Sequence, residues 1–557
     1  MKNTMKKLLA LLLALVMVAG VLAGCGGNET PNVDAPVEGE SGETPVEGGS
    51  EEVAVGEPQR GGYVTYSWYE LSPTFDPYGQ ASWTTYMWSN NNFEGCLARG
   101  EDGKIYPLVC EYDFSDDGLT LKLWVREGVK FSDGTDVTIE DVYASLERAA
   151  KFTPRVQTAL WDLVESYDIT DGVLTFNFTQ CNVTTIDIFC NPRACYGHIM
   201  PKSVCDKYGD KLIDDPNDCI GTGPYKLVAS ESQAGVRYEF ERNEHYVACE
   251  ASPDHNGLAS PRRQYLDGMV VMVNSDSSSQ LMGLMSGDID VLAQQDMTAF
   301  EANLQPMGFN ADTYSTGGVF YLFSNCDESR PVADVNLRRA IAAAVDYDEL
   351  QIAVRGDMYD PAGNSPVNCG EDYATDAFSS KEWTAKRESN IEVAKKYLAL
   401  SDYDGETLTM ITDNSAAAAI FIEDLAAIGV KCERQNLDNA TMIAYANDGT
   451  LDWDMILRTN PISNNYPTEM NNSFYNNWHN ERATELLALL DTAPLNSAES
   501  IGYWQELAEL MAEEVPFVIF GGVLECFVSN GELNTDRQGV WRYWFNDWWT
   551  NPEMHGK

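Results

Sequence analysis

The chain is poor in basic residues and in histidine. It has 37 Lys and Arg against 86 Asp and Glu, and its formal net charge is −49. Nucleic-acid binding depends on basic surface that neutralises phosphates, so this balance excludes a nucleic-acid partner. Only 5 His are present and no Cys-x-x-Cys pair occurs, so the spacing of a zinc site is missing. We therefore expect no metal site and no cofactor.

Catalytic motifs are missing as well. The sequence has no Gly-x-Ser-x-Gly elbow and no His-Glu-x-x-His helix, and its histidines are scattered singly along the chain. We expect a protein that is not an enzyme. A secreted hydrolase and a purely structural surface protein are kept as alternatives from other classes, since the many carboxylates decide nothing by themselves.

Long apolar runs are absent after the first residues, and the run at the N-terminus is short. Leu8–Ala23 follows a basic start and ends in Leu22-Ala23-Gly24-Cys25. The run is shorter than the roughly 20 residues of a spanning helix, and its flanks are typical of a secretory signal. The sequence therefore predicts a signal peptide over residues 1–24, with a plain membrane anchor as the alternative. Residues 25–60 are rich in Gly, Pro, Glu and Ser and are predicted to be an acidic disordered tether.

The most regular local pattern lies in residues 115–148. A turn at Asp116–Gly118 precedes a strand in which apolar and polar residues alternate over 119–126. Thr138 and Asp141 then have the spacing of a capping box, which opens a helix. The pattern predicts a strand, a turn and a capped helix, and no chemistry.

The order of residues in this stretch resembles a known family signature. Trp124–Gly134, which reads WVREGVKFSDG, and then Thr138 with Glu140-Asp141-Val142 resemble family 5 extracellular solute-binding proteins. These are oligopeptide-, dipeptide- and nickel-type receptors of ABC importers. Further segments that resemble the family are Gly221–Tyr225 (GTGPY), Leu281–Val291 and Pro331–Asp346, and the likeness extends from Gly62 to about Trp544.

The resemblance implies an α/β architecture. We expect the two-lobed periplasmic-binding-protein-like fold, of type II and in its large three-subdomain form, with a hinge and a ligand cleft between the lobes. Lobe I would comprise 61–315, with an inserted subdomain near 101–217, and 522–557. Lobe II would comprise 316–521.

The resemblance also implies a location. Leu22-Ala23-Gly24-Cys25 resembles the bacterial lipobox, which implies cleavage before Cys25 and its lipidation. The protein would be lipid-anchored at the outer, extracytoplasmic face of the cell membrane, as a monomer that delivers its solute to an ABC permease.

The remaining cysteines leave alternatives open. Cys96 and Cys110 stand where relatives carry apolar residues, so we expect buried thiols. Cys190 with Cys195, or Cys205 with Cys219, could form disulfides in an exported protein.

Matching the family's peptide receptors segment by segment places certain residues at the cleft, because ligand pockets favour domain interfaces. The ligand-binding residues that this resemblance implies are Ser82, Trp83, Arg458, Thr459, Asn460, Ser463 and Phe520. Core packing is the alternative for Trp83 and Phe520, and a surface or ion-paired role is the alternative for Arg458.

The ligand expected first is a peptide. An oligosaccharide is the alternative within the class, and a nickel chelate comes after it. The peptide receptors carry an Asp for the ligand's α-ammonium, and this sequence has Ser463 there, which argues against dependence on a free amine.

Overall fold

The computed structural model describes most of the chain after residue 57. The described residues are 58–79, 83–100, 102–181, 183–190, 196–254, 257–294, 297–356, 358–361, 373–412, 414–437, 441, 452–460, 477–494, 496–530, 533–534 and 549–550. The predicted signal peptide, Cys25 and nearly all of the predicted tether lie outside them. No helix in the described ranges is long and apolar enough to cross a membrane.

An 11-stranded mixed sheet forms the centre of the molecule. Its order is β15-β14-β16-β12-β17-β11-β1-β10-β9-β8, with β13 beside β17. Pairing is parallel for β1 with β10 and β11, and for β14 with β15 and β16, and antiparallel elsewhere. Its strands are β1 Tyr63–Trp68, β8 Tyr225–Leu227, β9 Arg237–Arg242, β10 Gly268–Val273, β11 Val291–Gln294, β12 Phe309–Ser324, β13 Tyr359–Asp360, β14 Thr407–Thr412, β15 Lys431–Asn436, β16 Met455–Asn460 and β17 Phe517–Asn530.

Three smaller sheets accompany it. One is four-stranded with the order β4-β5-β7-β6, and two are two-stranded, β2 with β3 and β18 with β19. Their strands are β2 Leu97–Arg99, β3 Ile105–Pro107, β4 Cys110–Phe114, β5 Thr120–Val125, β6 Val164–Thr170, β7 Val173–Phe178, β18 Leu533–Asn534 and β19 Trp549–Thr550.

Fourteen α-helices are present in the described ranges. They are α1 Trp83–Asn92, α2 Ile139–Phe152, α3 Pro154–Ala159, α4 Val183–Cys190, α5 Lys202–Tyr208, α6 Ser277–Ser286, α7 Met297–Asn303, α8 Val335–Ala344, α9 Tyr347–Arg355, α10 Ala377–Ser380, α11 Ile391–Leu398, α12 Ser415–Ile428, α13 Glu481–Thr492 and α14 Ala498–Glu514.

The stretch around residues 115–148 has the local structure that its sequence predicts. Gly118 turns with a φ of +69°, and β5 buries Leu121 and Leu123 against the core. Helix α2 begins with the predicted capping box, in which the Thr138 N–H donates to the Asp141 carboxylate at 2.8 Å. The prediction for this stretch is therefore confirmed.

The buried side chains form separate cores in two groups. The long strands β12 and β17, called the crossing strands below, join these groups. The largest core draws almost entirely on residues 64–291, together with Phe527 and Leu533. Two others draw on residues 319–520. Strands β12 and β17 run from one group of cores to the other, because their far ends pack with α6 and β11. The chain thus passes twice between the two groups of cores, which are called the two parts of the molecule below. The lobe boundaries given above stay predictions.

The described cysteines are all free thiols. Cys96 and Cys110 are fully buried in the largest core, which confirms their prediction as buried thiols. Cys205 and Cys219 are also buried thiols, so this structure does not contain the disulfide considered for them. Cys195 lies outside the described residues.

Candidate functional site

The end of β16 brings three of the predicted ligand-binding residues to the crossing strands. Arg458, Thr459 and Asn460 pair in antiparallel register with Tyr321, Phe320 and Val319 of β12. Arg458 is half-buried. The register places this segment next to the point where β12 passes between the two groups of cores.

The start of β16 is fixed by a buried carboxylate. Asp454 accepts the Thr409 N–H at 2.7 Å, and its own carbonyl accepts the Asn325 N–H at 2.7 Å. Burial raises the pKa of Asp454, and Arg330, 3.8 Å away, opposes that rise. Asp454 therefore joins β14 and β12 to β16 just before the segment with the predicted ligand-binding residues.

Phe520 is fully buried among aromatic side chains. Its ring is 0% exposed and packs at centroid distances of 5.6 Å from Phe320 and 5.0 Å from Tyr347. Core packing, the alternative given above, is thus the contact that this side chain makes in the structure, and its contact with a ligand stays a prediction. Alternation along a strand could not decide this, since both faces of a central strand are buried.

The other predicted ligand-binding residues are only partly described. Trp83 begins helix α1, but its side chain is outside the described part of the structure, as are those of Thr459 and Asn460. Ser82 and Ser463 lie outside the described residues. Their ligand contacts stay predictions.

The crossing strands have irregular pairing where they pass between the cores. The register of β12 with β17 shifts between Ser315 and Val319 and again between Phe320 and Tyr321. At the second shift Phe520 has no partner, because Phe320 pairs with Gly521 and Tyr321 with Ile519. Such bulges bend a strand and interrupt its hydrogen-bond ladder.

A polar cluster that the sequence analysis did not find surrounds this bulge. Arg387 donates to Phe520 O at 2.8 Å, to Pro361 O at 3.0 Å and to the Asp348 carboxylate at 2.7 Å. It thereby ties β17 to helix α9 and to the end of β13. One signal was available in the sequence, because Gly521-Gly522 inside an apolar strand indicates a bulge or a close backbone approach.

Gly521 is required by the space around it. A Cβ atom there would lie 2.9 Å from Asp360 O and 2.9 Å from Gln351 Nε2, closer than real side chains come. Glycine lets the backbone approach both groups.

The two groups of cores also touch away from the crossing strands. Asn496, in the turn between α13 and α14, donates from Nδ2 to Gly103 O at 3.3 Å. Gly103 lies at the tip of the β2–β3 hairpin, and helix α4 contacts α13 nearby. The two parts are therefore in contact in this conformation.

No metal centre emerges from the described ranges. They contain no group of three or more His, Cys, Asp or Glu side chains arranged to hold a metal ion.

The family comparison covers most of the chain. Residues 104–482 match the family model for bacterial extracellular solute-binding proteins, family 5 Middle. Among curated relatives, a probable peptide ABC transporter periplasmic-binding protein of Sinorhizobium fredii is 25% identical over 58% of this chain and 61% of its own length. The glutathione-binding protein GsiB of Escherichia coli is 28% identical over 28% of this chain and 30% of its own length. The chain thus spans less than two thirds of either relative.

Solved structures match a larger share of the chain than the family model does. The substrate-binding protein CtaP of Listeria monocytogenes has a TM-score of 0.71 at 19% identity, over 88% of this chain and 100% of that one. The oligopeptide-binding protein AppA of Bacillus subtilis, solved with a nonapeptide, has a TM-score of 0.64 at 18% identity, over 89% and 100%. At these identities the likeness establishes the fold, which is the predicted periplasmic-binding-protein type. By its family match, this chain belongs to the bacterial extracellular solute-binding proteins of family 5.

Proposed function

We propose that this chain is the extracytoplasmic receptor of an ABC importer and that its solutes are peptides. The observation that carries this proposal is the family match over residues 104–482. The peptide class is supported by the Sinorhizobium relative, a probable peptide ABC transporter protein, and by the nonapeptide bound to AppA. The receptor captures a solute between its two lobes, closes, and presents it to a membrane permease.

The proposed site lies where β16 ends beside the crossing strands. Its proposed ligand contacts are Ser82, Trp83, Arg458, Thr459, Asn460, Ser463 and Phe520. Residues 61–315 with 522–557 form one proposed lobe, and 316–521 form the other. The hinge falls at the irregular β12–β17 pairing, and closure about it buries the solute. The receptor acts as a lipid-anchored monomer, attached through Cys25.

The ligand class is tested by thermal shift. The purified protein is screened against a casein tryptic digest, maltodextrins and nickel–histidine, because a ligand that binds only the folded form raises the melting temperature. A shift with the digest alone supports peptides. A shift only with maltodextrins or with the chelate contradicts the peptide assignment but keeps a receptor. Turnover of any added compound would favour the hydrolase alternative.

Within the peptide class, we propose that the receptor does not depend on a free α-amine. No acid occurs between Arg458 and Pro467, and Ser463 offers a hydroxyl but no full charge. N-acetylation of a bound peptide should therefore change its Kd by less than about tenfold, or roughly 1.4 kcal/mol. Calorimetry on the free and acetylated peptide decides this, and a larger loss on acetylation would mean that another carboxylate holds the ammonium.

A further inference from the structure

Gln351 is a buried amide with no hydrogen-bond partner among the described residues. It lies on helix α9, is 0% exposed, and neither its Nε2 nor its Oε1 forms a hydrogen bond. A buried polar group without a partner costs free energy comparable to a lost hydrogen bond. This conformation therefore carries a free-energy cost at Gln351, which a conformation that gives the amide a partner would remove.

The amide faces the hinge. Its Nε2 lies 2.9 Å from the position that a Cβ on Gly521 would occupy, so the amide lies beside the bulge of β17. Gly521 adopts a φ of +156°, which glycine allows at little cost. A modest change of the Gly521 dihedral angles would turn one of its flanking peptide groups toward Gln351.

The surroundings restrict which groups can move. Arg387 holds Phe520 O at 2.8 Å and is itself fixed by Asp348 at 2.7 Å. Gly522 pairs with Asp360 of β13. Gly521 thus lies between two tethered residues, and as a glycine it has the conformational freedom for the backbone to rotate there.

The contact between the two parts gives the direction of the effect. The Asn496–Gly103 hydrogen bond, at 3.3 Å, joins loops from the two groups of cores, so this conformation has them in contact. The amide of Gln351 lacks a partner in this conformation, in which the two parts are in contact. Separation of the two parts bends the crossing strands, and the bulge at Gly521 is where that bend is easiest.

We propose that Gln351 is a positioning residue that hydrogen-bonds to the β17 backbone at Gly521–Gly522 in the open form and thereby holds the solute-free receptor open. The inference rests on the proposed receptor function and adds to it. A ligand that closes the lobes must supply the free energy of breaking that hydrogen bond, so the apparent affinity is lower than that of the closed form.

The test compares Gln351→Leu with Ser529→Ala. Leucine keeps most of the volume and removes both polar atoms, so the open form loses its advantage. Ser529 is a matched control, because its buried hydroxyl also lacks a hydrogen bond and lies on the same strand, away from the bulge. Gln351→Met is the second substitution if the leucine variant does not fold.

The readouts are small-angle scattering of the solute-free proteins and the half-saturating amount of a casein tryptic digest in a fluorescence titration. We expect the solute-free Gln351→Leu protein to have a smaller radius of gyration than wild type, with half-saturation lowered about threefold or more. Ser529→Ala should change neither. Equal radii for wild type and Gln351→Leu would overturn the inference.

Failure of the inference is distinguishable from failure of the proposed function. A wild-type protein that neither binds the digest nor contracts with it contradicts the peptide receptor. The comparison of solute-free radii still decides the role of Gln351. If Gln351→Leu raises the melting temperature without changing the radius of gyration, the residue has only a structural effect, and the inference is also overturned.

Discussion

At the scale of single residues, Asp424 makes the fold pH-sensitive. Its carboxylate accepts the Asp346 N–H at 3.0 Å beside Glu349 and Glu423. Burial, with the nearby acids, raises the pKa of Asp424 from 3.8 to about 6. The folded state therefore binds this proton more tightly than the unfolded state. As the pH rises from about 4 to about 6, the free energy of unfolding falls.

We predict that Asp424→Asn stabilises the protein at pH 7.5 by roughly 1 kcal/mol, a value discounted because the group is only about half buried. The amide oxygen can still accept the Asp346 N–H. The gain should shrink as the pH falls below about 6 and disappear below about pH 3, where Asp424 is protonated in both states. Urea unfolding at both pH values measures it, with Glu423→Gln as the control for loss of an exposed neighbouring acid. A gain that is independent of pH would contradict the assignment.

Sequence patterns identified residue roles unevenly at this scale. Leu121 and Leu123 alternate as predicted because one face of β5 is solvated, which leaves a clear two-residue period. Phe520 could not be assigned in the same way, because β17 is covered on both faces and Phe517–Phe520 is an unbroken apolar run. Arg387 and Gln351 leave no local signal, since their partners are distant in sequence.

At the scale of elements, the glycines of the Gly221–Tyr225 segment permit close packing on the end of helix α1. A Cβ on Gly223 would lie 2.6 Å from Asn91 O, and the Gly223 N–H donates to Asn92 O at 2.9 Å. The atoms in the way are backbone, so they cannot give by rotating a side chain. We predict that Gly223→Ala lowers the free energy of unfolding by about 2–3 kcal/mol, measured by urea denaturation.

The control is a glycine in open surroundings. Gly502 lies inside helix α14, and a Cβ there meets nothing within 4 Å. Gly502→Ala should stabilise the protein by up to about 1 kcal/mol, since alanine favours the helix more than glycine does. If both variants have wild-type stability, the inference that Gly223 packs too closely on α1 to accept a Cβ is wrong.

Local elements were predictable, and their pairing was not. The capping box of α2 and the alternating strand β5 each depend on residues within a few positions of one another. The pairing of β12 with β17 joins residues about 200 positions apart, with two register shifts that no short pattern contains. Only the family resemblance indicated which distant segments meet.

At the scale of the whole molecule, membrane attachment depends on one residue outside the described structure. Leu22-Ala23-Gly24-Cys25 resembles a lipobox, and two acyl chains anchor stably where one does not. We predict that Cys25→Ser moves the protein from the membrane fraction to the soluble fraction or blocks its processing, as judged by fractionation and precursor mass. Unchanged fractionation and mass would refute lipidation at Cys25. Cys326→Ser, a free thiol in the described structure, is the control.

The last prediction concerns the contact between the two parts of the molecule. Asn496 has a φ of +57°, so alanine there would add backbone strain, whereas glycine accepts this conformation and removes the amide. Asn496→Gly deletes the hydrogen bond to Gly103 O and should favour separation of the two parts, the opposite of the effect expected for Gln351→Leu. We expect scattering of the solute-free variant to give a radius of gyration equal to or larger than that of wild type. The half-saturating amount of a casein digest should rise by about fivefold, since one neutral hydrogen bond contributes on the order of 1 kcal/mol. The double variant with Gln351→Leu should have a radius of gyration and a half-saturating amount between those of the two single variants, because the sites are distant and their effects should add. An Asn496→Gly protein that contracts, or binds the digest more tightly, would mean that this contact does not belong to the closed form.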